Sequence, residues 1–380
     1  MQKTFLLLLP LLLLFSGCGK DKTKTQQPET EEGFNPYNEP YFQYQWYLAY
    51  TDNDFSRSAL ISQNAHIHIL DAWKYTRGEG VTVAVIDDSY EVGHRDLSTN
   101  ITDFYNADFQ NTKVENDTDD SSHGTATAGF IAAPKNDYGI VGTAPDAKLV
   151  LIAQIYDDDV ATIRAFEYAK NKGAKIISNS WGTGNVSPAV AEELALLKEQ
   201  NITILFASGN YGPSLFSDNQ DLDVPGVTDE SELPSVIGVG ATNEQNQLAS
   251  YSNYGKNIDI LAPGGEYLGL LGLDDTGVKG VPYNTYTFTN GYSITIDNAH
   301  AFETGTSFSC PLAAGVAALM LSVNPSLTPD QIRTILIESA EKIEANSVYY
   351  DDNGFNLKRA YGKINAAKAV ELAKNYQPQQ

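Results

Sequence analysis

The chain has 380 residues, 42% of them hydrophobic, which is enough for one large or two ordinary globular domains. Its formal charge is −23, from 48 Asp and Glu against 25 Lys and Arg. That balance argues against a nucleic-acid partner, because neutralising a phosphate backbone needs clustered Lys and Arg. It is compatible with calcium or with basic peptides as ligands.

The first segment, MQKTFLLLLPLLLLFSGC, carries one lysine and then an apolar run from Phe5 to Phe15. The run is too short to span a bilayer comfortably and reads as an export signal over residues 1–17. Ser16-Gly17-Cys18 resembles the lipobox of bacterial lipoproteins, with Phe15 in place of the usual Leu. The resemblance implies cleavage before Cys18, a lipid on its sulfur, and attachment to a membrane of a bacterial cell envelope. A lipidated Cys18 leaves Cys310 as the other cysteine, so no intrachain disulfide is expected. Residues 18–40 are polar and almost free of aliphatics, a tether too poor in apolar surface to fold.

From Tyr41 to 375 the pattern turns apolar and alternates strand with helix, leaving 376–380 as a tail. VTVAVID (81–87), KLVLIAQI (148–155), KIISNSWG (175–182) and NITILFASGN (201–210) are strand-like and rich in β-branched residues. ATIRAFEYAKNKG and SPAVAEELALLKEQ, between them, have helical spacing, and helices are expected at 306–323, 328–340 and 363–374. Such alternation predicts an α/β fold with a mostly parallel central sheet and helices on both faces. Functional residues should then gather at the carboxyl ends of the strands.

Four residues stand at such places. Asp87 ends the strand VTVAVID, and His123 opens the helix HGTATAGFIAA. Asn210 ends LFASGN, and Ser307 lies where a Gly-Thr turn becomes an apolar helix. Each has an ordinary structural reading: a turn Asp, a helix-start His, a turn Asn, a capping Ser. Taken together, in the order Asp, His, Ser, they match one of the chain orders known for nucleophilic triads. Pro311, in the opening turns of the helix that Ser307 begins, is expected to cost little there.

The blocks VAVIDDS…GHRDL, HGTATAGFIAA, GIVGTAPDAKL, SNSWG, ASGN, ILAPGG and GTSFSCPLAAGVAAL resemble those of the subtilisin-like serine proteases, from about residue 40 to 374. The resemblance implies a three-layer subtilisin-like fold and a serine endopeptidase acting on proteins or peptides through an acyl-enzyme. Ser307 would be the nucleophile, His123 the base and Asp87 its orienting partner. Asn210 would donate to the oxyanion beside the Ser307 N–H. Ser180, Trp181 and Gly182, with Ala207, Ser208 and Gly209, would flank an extended substrate and pair with its backbone. The same fold could also serve a catalytically silent binding or chaperone-like lipoprotein.

NEPYFQYQWYL, the Asp87-Asp88 pair and CPLAAG lean toward the kexin-like branch. No inhibitory pro-domain or C-terminal β-domain of that branch is recognised, and Ser89 replaces its Gly. By this resemblance Asp88 and Asp120 would line the pocket for the residue two before the cut and favour Lys or Arg. The acidic residues expected after Ser-Trp-Gly are absent, with Thr183 and Asn185 instead, so a weaker or non-basic preference is expected at the cut itself. His94-Arg95-Asp96-Leu97 and PKNDYGI (134–140) resemble the family's calcium-binding segments, implying a structural Ca²⁺ held by Asp96, Asn136 and Glu39. The connection 266–303, rich in Tyr, Thr and Asn, is expected to be hairpin-like and beside the active site.

Overall fold

The structure is a computed structural model. It describes residues 34–115, 122–156, 158–184, 186–212, 229–277, 279–280 and 284–377. The signal, Cys18, most of the tether, Asp120 and Asn185 lie outside the described residues. The compact unit begins at Asn35, six residues earlier than the pattern predicts. Pro36–Asn38 forms a 3₁₀ turn, and Glu39 is buried because backbone N–H groups of a distant loop bond to its carboxylate.

Eleven strands and eight α-helices are described. Seven strands form one sheet: β1 (Thr82–Asp87), β2 (Ile101–Asn106), β3 (Lys148–Ala153), β4 (Ile176–Asn179), β5 (Thr203–Ala207), β6 (Ile237–Thr242) and β7 (Ile260–Pro263). Their order is β2-β3-β1-β4-β5-β6-β7, with every pairing parallel. The inner strands are buried along almost their whole length, which accounts for their uninterrupted apolar runs. β6 escapes the strand pattern because Gly238 and Gly240 interrupt it. A Cβ at Gly240 would lie 2.7 Å from the Leu261 side chain on the neighbouring strand.

Helices α1 (Asp54–Ser58) and α2 (Ile69–Ala72) precede the sheet, and α3 (His123–Ala132) follows β2. On one face of the sheet α4 (Asp159–Asn171) and α5 (Pro188–Glu199) bury Phe166, Leu194 and Leu197 against Ile86, Ile152, Ile204 and Phe206. On the other face lie α3, α6 (Thr306–Val323) and α8 (Ala366–Asn375), with α7 (Pro329–Ser339) packed against α8. The predicted spans for α6 and α7 hold to within a residue. Helix α8 begins three residues later than predicted, where the Asn365 side chain caps it. Helix α6 has a mean hydropathy of 1.6, yet 83% of it is buried, so its apolar surface all round belongs to a core helix.

The connection 266–303 contains four short strands, in keeping with its hairpin-like reading. Strand β8 (Leu270–Leu273) pairs antiparallel with β11 (His300–Glu303), and β9 (Asn284–Thr287) with β10 (Ser293–Ile296). Strand β11 runs directly into the turn before α6. Trp46 Nε1 and the Tyr47 hydroxyl donate to the carbonyls of Gly269 and Leu271 at 2.8 and 2.7 Å, fastening the chain's first turns to β8. The chain leaves β1 first toward β3 and β2 and later toward β4 and β5. A topological switch therefore opens at the carboxyl ends of β1 and β4, the place where such sheets bind ligands.

Candidate active site

Asp87 is the last residue of β1 and is 5% exposed. Its Oδ1 accepts from His123 Nδ1 at 2.7 Å and from the Asp88 N–H at 2.9 Å, and its Oδ2 accepts from Thr127 Oγ1 at 3.0 Å. With Nδ1 carrying the proton toward Asp87, Nε2 is left as an acceptor. His123 opens α3, whose start is tied down from two sides. Asp88 Oδ1 accepts from the Gly124 N–H at 3.1 Å, while Ser122 and Thr125 donate to Asp275 at 2.6 and 2.9 Å. Position 124 must be glycine: a Cβ there would lie 2.5 Å from the Ser89 carbonyl oxygen.

Ser307 is the second residue of α6, so its N–H has no intrahelical acceptor and the helix dipole favours negative charge beside it. Asn210, just past the end of β5, is oriented by that same helix start. Its Oδ1 accepts from the Thr306 N–H at 2.9 Å and Thr306 Oγ1 at 2.8 Å, which leaves the amide NH₂ as the outward donor. Gly305 permits this approach. Its φ is +147°, and a Cβ there would sit 3.2 Å from Asn210 Nδ2.

Pro311 lies in the opening turns, as expected, but as the sixth residue of α6 its missing N–H does leave an acceptor unpaired. Its ring removes the bond that the Ser307 carbonyl would otherwise accept. Ser180 Oγ supplies the missing donor at 2.7 Å, and Ser307 Oγ in turn donates to the Ser180 carbonyl at 3.3 Å. The end of β4 is thereby clasped to the start of α6.

Together these bonds place a serine hydroxyl at an open helix N-terminus with an amide donor beside it, and the carboxylate-bound His123 ring lies 5.4 Å from that of Phe308, the next residue, an arrangement suited to acyl transfer. The profile of the subtilase family matches residues 78–363, three quarters of the chain. The chain belongs to the subtilase family. It is 32% identical to a probable subtilase-type serine protease of Deinococcus radiodurans, over 81% of this chain and 43% of that one. It is also 32% identical to a calcium-dependent protease of Trichormus variabilis, over 83% of this chain and 50% of that one. The chain thus spans about half the length of these curated relatives. The solved serine protease of Aeromonas sobria shares its fold, with a TM-score of 0.75 at 23% identity, covering 95% of this chain and 72% of that one.

The subtilase segments expected to flank substrate lie where β4 and β5 end. Trp181 turns its indole inward: Nε1 donates to the Ile86 carbonyl at 3.0 Å, and the ring packs edge-on against Phe206. Gly209 N–H donates to Thr306 Oγ1 at 3.1 Å. Ser208 gives its hydroxyl to the Asn253 carbonyl, and its own carbonyl accepts from Asn253 Nδ2. Ala207 closes β5 and is buried.

Asp96, Asn136 and Glu39 are brought together as expected, but with unequal roles. Glu39 accepts three backbone N–H groups, from Asn136, Asp137 and Tyr138, so both its oxygens are taken up shaping the loop. Asp96 Oδ1 accepts from Asn136 Nδ2 at 2.9 Å, and Oδ2 accepts from the Ile140 N–H at 2.8 Å with His300 Nε2 at 3.5 Å. Asn136 Oδ1 is buried without a partner, an oxygen whose desolvation a cation would offset. Among the described residues no three His, Cys, Asp or Glu side chains form a metal cluster. A hard cation here would therefore rest on Asp96, Asn136 and neutral carbonyl oxygens, with Glu39 behind them.

Thr127, Thr306, Asp275 and Glu303 were not singled out from sequence. Thr127 lies one helical turn after His123, the spacing that aims it at the same carboxylate, so it was legible in principle. Asp275 and Glu303 come from the 266–303 connection and carry no local signal. Burial opposes charge on His123, but contact with Asp87, with Asp88 and Glu303 beyond, outweighs it and pushes its pKa up to about 9. Burial, reinforced by Asp274, pushes the Glu303 carboxyl up to about 7. A general base works only when neutral, so kcat/KM should climb as pH rises through the histidine's pKa. Glu303→Gln removes an anion that stabilises the imidazolium, so that limb should move to lower pH. A pH–rate profile unmoved, or moved upward, would contradict this account of the field around His123.

Proposed function

We propose that the protein is a serine endopeptidase that hydrolyses peptide bonds through an acyl-enzyme. The observation that carries this reading is the Asn210 amide, fixed by Thr306 beside Ser307, with His123 bonded to Asp87 and packed against Phe308. Ser307 Oγ attacks the scissile carbonyl carbon as His123 Nε2 takes its proton. The oxyanion receives hydrogen bonds from Asn210 Nδ2 and the Ser307 N–H. His123 then protonates the leaving amine, which departs and leaves the acyl ester. Water, deprotonated by the same imidazole, hydrolyses that ester and restores Ser307. Asp87 holds the imidazole in one tautomer and stabilises the imidazolium, while Thr127 and the Asp88 N–H hold Asp87.

Ser307 Oγ donates to Ser180 rather than to His123, a bond that a silent, binding-only protein of this fold would share. A fluorophosphonate probe separates the two readings, because only an activated serine reacts. Wild type should be labelled and should cleave peptides. Ser307→Ala should lose both, by at least about a thousandfold in turnover, while melting as wild type does. An unlabelled wild type, or a Ser307→Ala variant that still cleaves, overturns the peptidase reading.

The substrates we propose are proteins or peptides with a basic residue two before the cut. Burial and the neighbouring Asp87 push the Asp88 carboxyl upward, so a substrate cation would relieve it. One Asp88 oxygen already serves Ser89 and Gly124, and this limits the preference to what the other oxygen supports. Nothing in this reading calls for nucleic acid.

Attachment to a bacterial membrane through Cys18 belongs to the same reading and is supported by the apolar run ending at Ser16-Gly17-Cys18. Metabolic labelling with a fatty-acid analogue should mark the wild type and not Cys18→Ser; an unmarked wild type removes the anchor. Calcium at Asp96 and Asn136 is proposed as a structural ion with no part in the chemistry. It is supported by the unpartnered Asn136 oxygen and by the name of the Trichormus relative. Calcium at a hundredfold excess over its Kd should stabilise the wild type by about 2.7 kcal/mol over chelator, and Asn136→Ala should lose that response. Identical melting curves in calcium and chelator would remove the ion.

A further inference from the structure

The side chain immediately before the cut hangs one atom from the carbonyl that Ser307 attacks. Its surroundings follow from the clasp already described. Ser180 lies against Ser307, and Gly182 follows two residues on, within about 7 Å along an extended chain. The end of β5, bearing Asn210, forms the other wall. No acid in the sequence immediately after Gly182 is positioned to read that side chain, which is why a non-basic preference was expected there.

A different segment supplies one. Asp229, which caps the 3₁₀ turn Glu230–Glu232 between β5 and β6, places its carboxylate directly against Gly182: a Cβ at that glycine would lie 2.4 Å from Asp229 Oδ2. Asp229 Oδ1 accepts from the N–H and the hydroxyl of Ser231 at 3.0 and 2.7 Å, which fixes the carboxylate's orientation. Oδ2 accepts no hydrogen bond from the described residues. Next to it, Glu230 accepts from the N–H and hydroxyl of Thr183 at 3.0 and 2.7 Å, so the turn at 229–230 and the segment 182–183 form one rigid wall.

Among the described residues no Lys or Arg pairs with Asp229. Burial, with Glu230 and Glu232 adding to it, holds its carboxyl up at about 6. A carboxylate that is fixed, mostly desolvated and left without a cation is an incomplete ion pair. Glycine at 182 is what lets that carboxylate lie directly against the chain that follows Ser180.

From this geometry we infer that Asp229 is a specificity-determining residue, whose free oxygen selects Lys or Arg immediately before the scissile bond. The inference rests on the peptidase reading above and extends it from one substrate position to the next. A long cationic side chain lays its methylenes between the ends of β4 and β5 and brings its charge to Oδ2. A neutral side chain of similar length leaves that carboxylate buried and unpaired, and this difference sets the discrimination.

A peptide library varied at the residue before the cut tests it on wild type, Asp229→Asn and Asp229→Glu. Wild type should favour Arg and Lys over Leu and Phe by about tenfold or more in kcat/KM. Asp229→Asn should erase that ratio by losing rate on Arg and Lys peptides, and fluorophosphonate should still label its Ser307. Asp229→Glu should keep a basic preference. A wild type that cleaves but favours Leu or Phe overturns the inference alone, as does an Asp229→Asn variant with the wild-type ratio. A wild type that cleaves nothing and takes no label overturns the peptidase reading, and this inference with it. If Asp229→Asn fails to fold, the wild-type profile and Asp229→Glu still decide: loss of the basic preference in the glutamate variant counts against the assignment. The same library read two residues before the cut tests Asp88 separately.

Discussion

Helix α6 is buried along most of its length, yet its first turn has to stand open at the edge of the sheet. The bonds that hold that turn in place are the ones on which the site depends. Gly305 N–H donates to the Gly264 carbonyl at 3.0 Å, Thr306 is bonded to Gly209 and Asn210, and Ser307 is clasped to Ser180. Those partners come from the ends of β7, β5 and β4. Neighbouring parallel strands are about 5 Å apart and cannot slip without breaking register, so the ends of the sheet act as a fixed frame for the turn. Pro311 strengthens the arrangement: by deleting one intrahelical bond it frees the Ser307 carbonyl to be held by the strand.

Charge is distributed with a similar economy. His123 faces Asp87 directly and has Asp88 and Glu303 beyond it. In the proposed reaction these anions favour the imidazolium formed as Ser307 gives up its proton, which would lower the barrier to attack. They favour it equally in the resting enzyme, so a smaller share of the histidine is neutral at pH 7. The two effects oppose one another, and the balance shifts toward turnover as pH rises. Hydrogen bonds from Thr127 and the Asp88 N–H moderate the field by stabilising the Asp87 carboxylate that generates most of it.

Much of this was legible in the sequence because it depends on local pattern. Strand ends mark Asp87 and Asn210. The start of a long apolar run marks Ser307, and a polar loop before an Ala- and Gly-rich helix marks His123. Buried parallel strands advertise themselves by β-branched runs, and four were found that way. Strand β2 was missed because it lies at the sheet's edge and carries polar residues on its open side, and β6 because close approach of β7 requires glycine where apolar side chains would signal a strand.

The rest was hidden for another reason. Asp275 fastens His123's helix from 152 positions away, and Asp229 faces Gly182 from 47 positions away. Neither lies in a motif, and in a chain with 48 acidic residues no single one stands out. Asp229 is marked by physical features instead: burial raises its carboxyl, Ser231 fixes it, and no Lys or Arg among the described residues pairs with it. Surface carboxylates of the same charge are solvated and carry no comparable cost. The specificity role proposed for Asp229 thus rests on an unbalanced electrostatic cost that only the folded chain creates, where neither the residue's identity nor its neighbours in sequence mark it out.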